Sequence, residues 1–216
     1  MAGLFVTFEG VEGCGKTTQA ELLRQNLERE GHTVVFTREP GGTDVGERIR
    51  DVLLDTRLAG MDPLAELFLY LASRAQHVRE LIRPALTGGA IVICDRFADA
   101  SLAYQGAGRQ IGDLKVRHLN GIATYGLVPD YTLLLDVPAE VGLERTLNRV
   151  GGEARQDRIE KEKLDFHARV RTGYLLLAEK EPGRIAVLDG TRNKEELARE
   201  ILNRVKRVLE ERKARG

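Results

Sequence analysis

The sequence predicts an α/β fold in which a five-stranded parallel sheet is flanked by helices on both faces. Two patterns carry that reading. Five apolar runs of strand length alternate with longer amphipathic stretches, and such alternation builds parallel sheets with crossover helices. The runs are also apolar throughout, as strands buried on both faces are. With 216 residues, 42% of them hydrophobic and 31% charged, the chain can bury a full core without disulfides or metals.

Leu4–Phe8 reads as the first strand. Thr17–Glu30 has helical periodicity and meets Gly31, a natural residue just past a helix end. Thr33–Thr37 is the second strand. Asp62 reads as an N-cap and Pro63 as the first residue of a long helix reaching about Leu86. Its expected core stripe runs through Leu64, Phe68, Leu71, Ala75, Val78 and Ile82. Ala90–Cys94, Tyr131–Leu135 and Ile185–Leu188 supply the other strands. Helices are expected near Asp113–Thr124, Ala139–Arg149 and Arg158–Glu181, and Asn193–Lys213 closes the chain. No linker or repeat interrupts the pattern, so residues 1–216 read as a single domain. The polar, glycine-bearing stretch Val150–Asp157 lies between two helices. It reads either as a surface loop or as a lid segment at about 149–158.

Composition excludes several functions. Thirty-three basic residues balance thirty-three acidic ones, so no global field draws nucleic acid. Aromatic residues are 5% with no Trp, too few for a base-stacking platform. Cys14 and Cys94 lack metal-ligand spacing and suit a reducing compartment. No apolar run approaches the roughly 18 residues of a membrane span. Met1–Phe5 has no signal pattern, so a cytoplasmic protein with no membrane partner is expected.

Gly10-Val11-Glu12-Gly13-Cys14-Gly15-Lys16-Thr17 matches a phosphate-binding loop in full, with Thr18 following. It leaves a strand and opens a helix, as the mechanism requires. Glycines let backbone N–H groups turn in on phosphate oxygens, and the helix start adds its positive dipole end. Lys16 is placed to reach the β- and γ-phosphates, and the Thr17 hydroxyl to hold Mg2+. Asp95, at the end of the third apolar run, is the second candidate metal residue. Cys14 is either a small residue tolerated in a tight loop or a thiol activated by the helix start. The loop predicts nucleotide binding and leaves the reaction open.

Four other segments narrow it. The second strand leads into Thr37-Arg38-Glu39-Pro40-Gly41-Gly42-Thr43, and the third into Cys94-Asp95-Arg96-Phe97. Ser101-Leu102-Ala103-Tyr104-Gln105-Gly106 follows. In the long helix, Tyr70 and Arg74 share one flank, and the pair reads either as a boundary Tyr beside a snorkelling Arg, which the residues alone favour, or as a ring and a guanidinium that stack on a base and bond its edge. A different monophosphate kinase and a nucleotide-dependent switch are the competing readings. Asn193-Lys194-Glu195-Glu196 resembles a guanine-binding pattern but ends in Glu, and it reads as a helix start. A switch also leaves Tyr70, Arg74 and Arg96 without roles.

From about Phe5 to Glu211 these motifs, in this order, closely resemble the thymidylate kinase family, enzymes that phosphorylate dTMP to dTDP. The resemblance implies a three-layer P-loop NTPase-like sandwich, ATP as donor, dTMP as acceptor, Mg2+ and a homodimer. It places Glu12 at the acceptor 3′-hydroxyl, and Arg50 and Arg96 on the acceptor phosphate. Tyr70, where the family more often has Phe, stacks on thymine, and Arg74 bonds a thymine carbonyl. Ser101 and Gln105 contact the base, and Tyr104 lies under the deoxyribose. Glu39 stands near metal and acceptor, and Pro40 shapes the wall. Some members carry an arginine in the phosphate loop where this chain has Gly13. Those without one resemble the bacterial type, whose lid supplies catalytic charge. Arg155 is then the first candidate, with Arg149 and Arg158 beside it, joining Lys16 and Arg96 as catalytic residues.

Overall fold

The structure, a computed structural model, describes residues 3–149 and 156–215. The five apolar runs form one parallel sheet of β1 (Leu4–Glu9), β2 (Val34–Arg38), β3 (Ile91–Asp95), β4 (Tyr131–Asp136) and β5 (Ile185–Asp189). Their order is β2-β3-β1-β4-β5. Each strand runs one residue beyond its expected end, and that residue is charged: Glu9, Arg38, Asp95, Asp136 and Asp189. The pairing continues past the apolar run, so one edge of the sheet presents a row of charge. Connections diverge at β1 and β3, since β1 leads outward to β2 while β3 leads back across to β4. Ligands of open α/β sheets bind outside the strand ends at such a point.

Side chains alternate between the two faces. Leu4, Val6, Phe8, Ile91 and Ile93 join α1 (Lys16–Arg29) and the terminal helix in the main core. Phe5, Val92 and Cys94 face the other way, against Val78, Ile82 and Phe97.

Among the helices absent from the expected set, the longest has 11 residues. This helix, α2 (Asp44–Leu54), carries Val45, Ile49, Val52 and Leu53 at helical spacing, but of these only Leu53 is buried, so no core face anchors its start. Polar chemistry starts it instead: the Thr43 hydroxyl accepts from Gly46 N–H, and Asp44 and Glu47 sit in its first turn.

The long helix begins as expected at α3 (Pro63–His77), with Asp62 accepting from the N–H groups of Leu64 and Ala65. Its first half turns differently. Leu64 and Phe68 are exposed, and the buried positions are Glu66, Leu67, Leu71, Ser73, Arg74 and His77. Polar side chains that find partners take the inward face there, which hydrophobic periodicity does not register. Beyond α3 the backbone widens into a π-helical turn, Val78–Ile82, before α4 (Arg83–Thr87). Pro84 explains the change, because its ring clashes with the carbonyl four residues back.

α5 (Ala98–Ser101) likewise passes into wide turns over Leu102–Gly108. α6 (Asp113–Ala123) and α7 (Ala139–Arg149) match their expected spans closely. The helix expected from Arg158 is α8 (Leu164–Lys180). Asp157 closes a separate turn ahead of it by accepting from the N–H groups of Ile159 and Glu160. Asn193 caps α9 (Lys194–Arg215) by accepting from Glu195 and Glu196 N–H, so Asn193–Glu196 is helix-start chemistry. Among the described residues, no helix is long and apolar enough to cross a membrane.

Glu9, at the charged end of β1, is fully buried. It accepts from Phe97 N–H at 2.7 Å and from the Tyr174 hydroxyl at 2.6 Å. Burial, with nearby Asp99, pushes its pKa up from 4.5 to about 8, against the pull of Tyr174 and Arg96. Between those values the unfolded chain binds fewer protons than the folded one. Glu9 therefore lowers stability progressively as pH rises from about 4.5 to about 8. Glu9→Gln mimics the protonated form, so the variant should gain on the wild type by a few kcal/mol, on the order of 1.4 per pKa unit. Urea unfolding of both chains at pH 5 and pH 8 measures this. An equal stability difference at the two pH values rules it out.

Candidate active site

The phosphate loop spans the gap between β1 and α1. Gly15 precedes the helix with φ 95°, a left-handed conformation that glycine adopts at little cost. Gly13 is constrained twice. Its φ is 67°, and a Cβ there would lie 2.0 Å from the Gly142 carbonyl oxygen on α7. The loop and α7 thus touch backbone to backbone, leaving position 13 no space for a side chain. Lys16 is buried, and its ammonium donates to the carbonyls of Val11 at 2.8 Å and Gly10 at 3.2 Å. The Thr17 hydroxyl donates to Asp95 at 2.5 Å, so both candidate metal residues meet at the mouth of the loop. Thr18 lines the same cavity of about 740 Å3, and Cys14 is a buried thiol beneath the loop.

That cavity joins a narrower pocket of about 90 Å3. Glu12, Glu39, Arg50, Arg96 and Asp157 line both. Arg96 is the centre of this junction. Its guanidinium donates to Glu12 at 2.7 Å, to the Gly10 carbonyl at 2.8 Å and to the Tyr174 hydroxyl at 3.2 Å. It also lies 4.8 Å from the centre of the Tyr104 ring. Tyr104 donates its hydroxyl to the same oxygen of Glu12 at 3.0 Å. Burial raises the Glu12 pKa, but the charges of Arg96 and Lys16 and the bonds from Tyr104 and Arg96 outweigh it, leaving it at about 2. Glu12 is therefore ionised at neutral pH. Arg50 donates to the Pro40 carbonyl at 3.0 Å, its guanidinium at the pocket rim.

The narrow pocket is walled by Pro40, Leu54, Tyr70, Ala100, Ser101, Tyr104, Gln105 and Ile159. The sequence reading thus names most of this wall. Leu54, Ala100, Asp157 and Ile159 complete it from positions outside the quoted motifs. Arg74 stands behind the wall, not in it. Its guanidinium donates to Glu39 at 2.8 Å, Ser101 at 2.9 Å, Asn120 at 2.6 Å and the Phe97 carbonyl at 3.0 Å. Four of its five hydrogens are committed. Glu39 is held from the other side by His77 at 3.0 Å, which also bonds Thr37 at 2.7 Å.

The three lid arginines fare differently. Arg155 and the side chain of Arg149 lie outside the described residues. Arg158 is buried, with its guanidinium on Glu66 at 2.6 Å and on the Leu53 carbonyl at 2.9 Å. Arg145, absent from the sequence reading, lines the phosphate cavity and donates to the Gly190 carbonyl. Glu9, Glu66, Asn120 and Tyr174 were also unmarked. Only Glu9 left a signal, as an acid ending an apolar strand.

The thymidylate kinase family model matches residues 8–201. A thymidylate kinase of Geotalea uraniireducens is 52% identical over 196 residues, covering 90% of this chain and 92% of its own. One from Desulfovibrio desulfuricans is 50% identical over 216 residues, covering 99% of each. The crystal structure of thymidylate kinase from Ehrlichia chaffeensis matches with a TM-score of 0.76 at 33% identity, over 95% of this chain and 99% of that one. A phosphate loop opening into a walled pocket, in a chain matched along nearly its whole length, has one reading: the chain belongs to the thymidylate kinase family and is a dTMP kinase, converting dTMP to dTDP.

Proposed function

We propose that the chain transfers the γ-phosphoryl group of ATP to the phosphate of dTMP, with ATP phosphates in the loop Gly10–Thr18 and dTMP in the narrow pocket. The observation that carries this reading is the junction of the two cavities at Glu12, Glu39, Arg50 and Arg96. Donor and acceptor phosphates would meet there. Thr17 and Asp95 are the proposed Mg2+ residues. Both are hard oxygen groups, hydrogen-bonded to each other at the mouth of the loop, where an ion would take its other ligands from phosphate and water. When bound, Mg2+ offsets the charge of the donor phosphates.

The rest of the work falls to the chain. Lys16 exchanges its loop carbonyls for phosphate oxygens. Arg96 and Arg50 grip the acceptor phosphate, and Arg96 faces the charge that builds during transfer. Ionised Glu12 accepts from the sugar 3′-hydroxyl. Tyr70 stacks on thymine, Ser101 and Gln105 bond its edge, and Arg74 has one hydrogen left to offer. Glu39 and Pro40 fix the wall between the cavities. No side-chain base is needed, since the acceptor phosphate is already an anion near neutral pH.

The absence of space at Gly13 supports the bacterial type, with catalytic charge from a lid at about 149–158. Arg155 is the proposed guanidinium, with Arg149 as the second candidate. The chain acts as one domain in the cytoplasm, where its free thiols Cys14 and Cys94 are stable. It pairs with a second copy through the neighbouring helices α3 and α6. Their outer faces expose Leu64, Phe68, Leu114 and Ile122, with Phe68 51% and Leu114 82% accessible.

Three outcomes test this. In a coupled ADP-release assay across the common nucleoside monophosphates, kcat/KM for dTMP should exceed that for AMP, CMP or GMP by about 100-fold or more. A faster rate with any of those three refutes the acceptor. Tyr104→Ala should narrow the preference for dTMP over ribothymidine monophosphate by about tenfold, while Tyr104→Phe keeps the ring and the preference. An unchanged ratio in the alanine variant places the ribose gate elsewhere. Phe68→Glu combined with Ile122→Glu should give a monomer by light scattering where the wild type is a dimer. A dimer in both sinks this interface.

A further inference from the structure

Glu66 lies in the first turns of α3, outside both cavities, and is wholly buried. A carboxylate in such a place is costly unless it is fully bonded. Four donors reach it. Gln105 Nε2 lies 2.8 Å from Oε1, and Arg109 Nε lies 3.1 Å from the same oxygen. Arg109 Nη2 lies 2.9 Å from Oε2, and Arg158 Nη1 only 2.6 Å. Burial raises its pKa, but the bonds from Arg109 and Gln105 and the two guanidinium charges outweigh that and hold it low. It is an acceptor only.

These donors come from two chain segments, the wide turns after α5 and the turn before α8. Arg158 belongs to the turn that precedes α8. Its Nε and backbone N–H also bond the carbonyls of Leu53 and Leu54 at 2.9 and 3.3 Å, so it ties that turn to the end of α2. Arg109 reaches further along the same stretch, pairing with Glu162 at 2.6 Å while its guanidinium lies 4.6 Å from the Phe166 ring centre. Asp157 and Ile159, on either side of Arg158, line the acceptor pocket. Gln105 lines it too. A carboxylate can only accept, so Glu66 fixes the Gln105 amide with its nitrogen inward and its oxygen turned away.

We infer that Glu66 is a positioning residue for the acceptor pocket: through Arg158 it seats Asp157 and Ile159 at the pocket, and through Gln105 it orients the amide that meets the base. Arg158 is then a fixed anchor, not a charge delivered during transfer. The inference rests on the acceptor reading above, because it assigns a function to the pocket Glu66 supports. It requires that losing the carboxylate weaken the acceptor and spare the donor. A group misplaced by about 1 Å from afar can cost on the order of 10²-fold in efficiency.

The test is steady-state kinetics of Glu66→Gln with both substrates varied. The Gln side chain keeps the volume and removes the charge. KM for dTMP should rise about tenfold or more, KM for ATP should stay within about twofold, and kcat should fall by no more than about threefold. An unchanged KM for dTMP, or a loss carried by kcat alone, overturns the inference, since a purely stabilising role lowers the active fraction without moving KM. If Glu66→Gln yields no folded protein, Arg158→Met decides. A rise in KM for dTMP with kcat largely retained supports the anchor. A fall in kcat of about 10³ with KM unchanged makes Arg158 a delivered charge and refutes it. The wild-type acceptor panel separates the two readings. A different preferred monophosphate would defeat the acceptor assignment, whereas an unchanged KM for whichever acceptor is preferred would defeat this one.

Discussion

The contact between Arg96 and Glu12 joins the two halves of the site. Glu12 sits in the phosphate loop after β1, and Arg96 follows the last residue of the neighbouring strand β3. To reach it, Arg96 adopts φ 71°, in the left-handed region that costs a residue with a side chain roughly 1–2 kcal/mol. Its own N–H bonds the Phe8 carbonyl at 2.9 Å, and its guanidinium takes two further loop and helix partners, which offsets that strain. The sheet register makes this possible. Phe8 is paired with Asp95, so the residues just past both strands emerge side by side. The phosphate loop and the wall of the narrow pocket are thereby held in one frame, the condition that the proposed in-line transfer requires.

Behind that contact the pocket is built from buried charge. Glu39 with Arg74 and His77, Glu66 with Arg109 and Arg158, and Asp99 with Arg184 each link elements distant in sequence. Such pairs seldom add net stability, because desolvation cancels much of their attraction. Their geometric demands are strict, however, and a wall made of bidentate and multiply bonded groups has few ways to rearrange. Arg74 illustrates the division of labour. With one hydrogen left over from four protein bonds, its main work is to hold Glu39, Ser101 and Asn120 in place.

The same polar interior explains where periodicity misled. In α3 the apolar residues Leu64 and Phe68 lie outward, while Glu66, Ser73, Arg74 and His77 lie inward. A stripe drawn through hydrophobic residues alone rotates such a helix by roughly a third of a turn at about 100° per residue. α2 separates period from burial in another way: Val45, Ile49, Val52 and Leu53 repeat at helical spacing, yet only Leu53 of the four is buried.

Local chemistry was legible in the residues themselves. The phosphate loop, the five strands and the caps at Asp62 and Asn193 depend on interactions within a few positions, whereas most of the narrow pocket's wall was legible only through the resemblance to a family. What the tertiary structure alone decided were the partners. That Arg158 meets Glu66 ninety-two residues away, that Tyr174 closes on Glu9 across one hundred and sixty-five, and that Gly142 leaves Gly13 no room for a side chain depend on which helix faces which strand. A buried ion pair has no periodicity and its two members no fixed spacing. Only the folded chain, by excluding water from them, selects which groups meet.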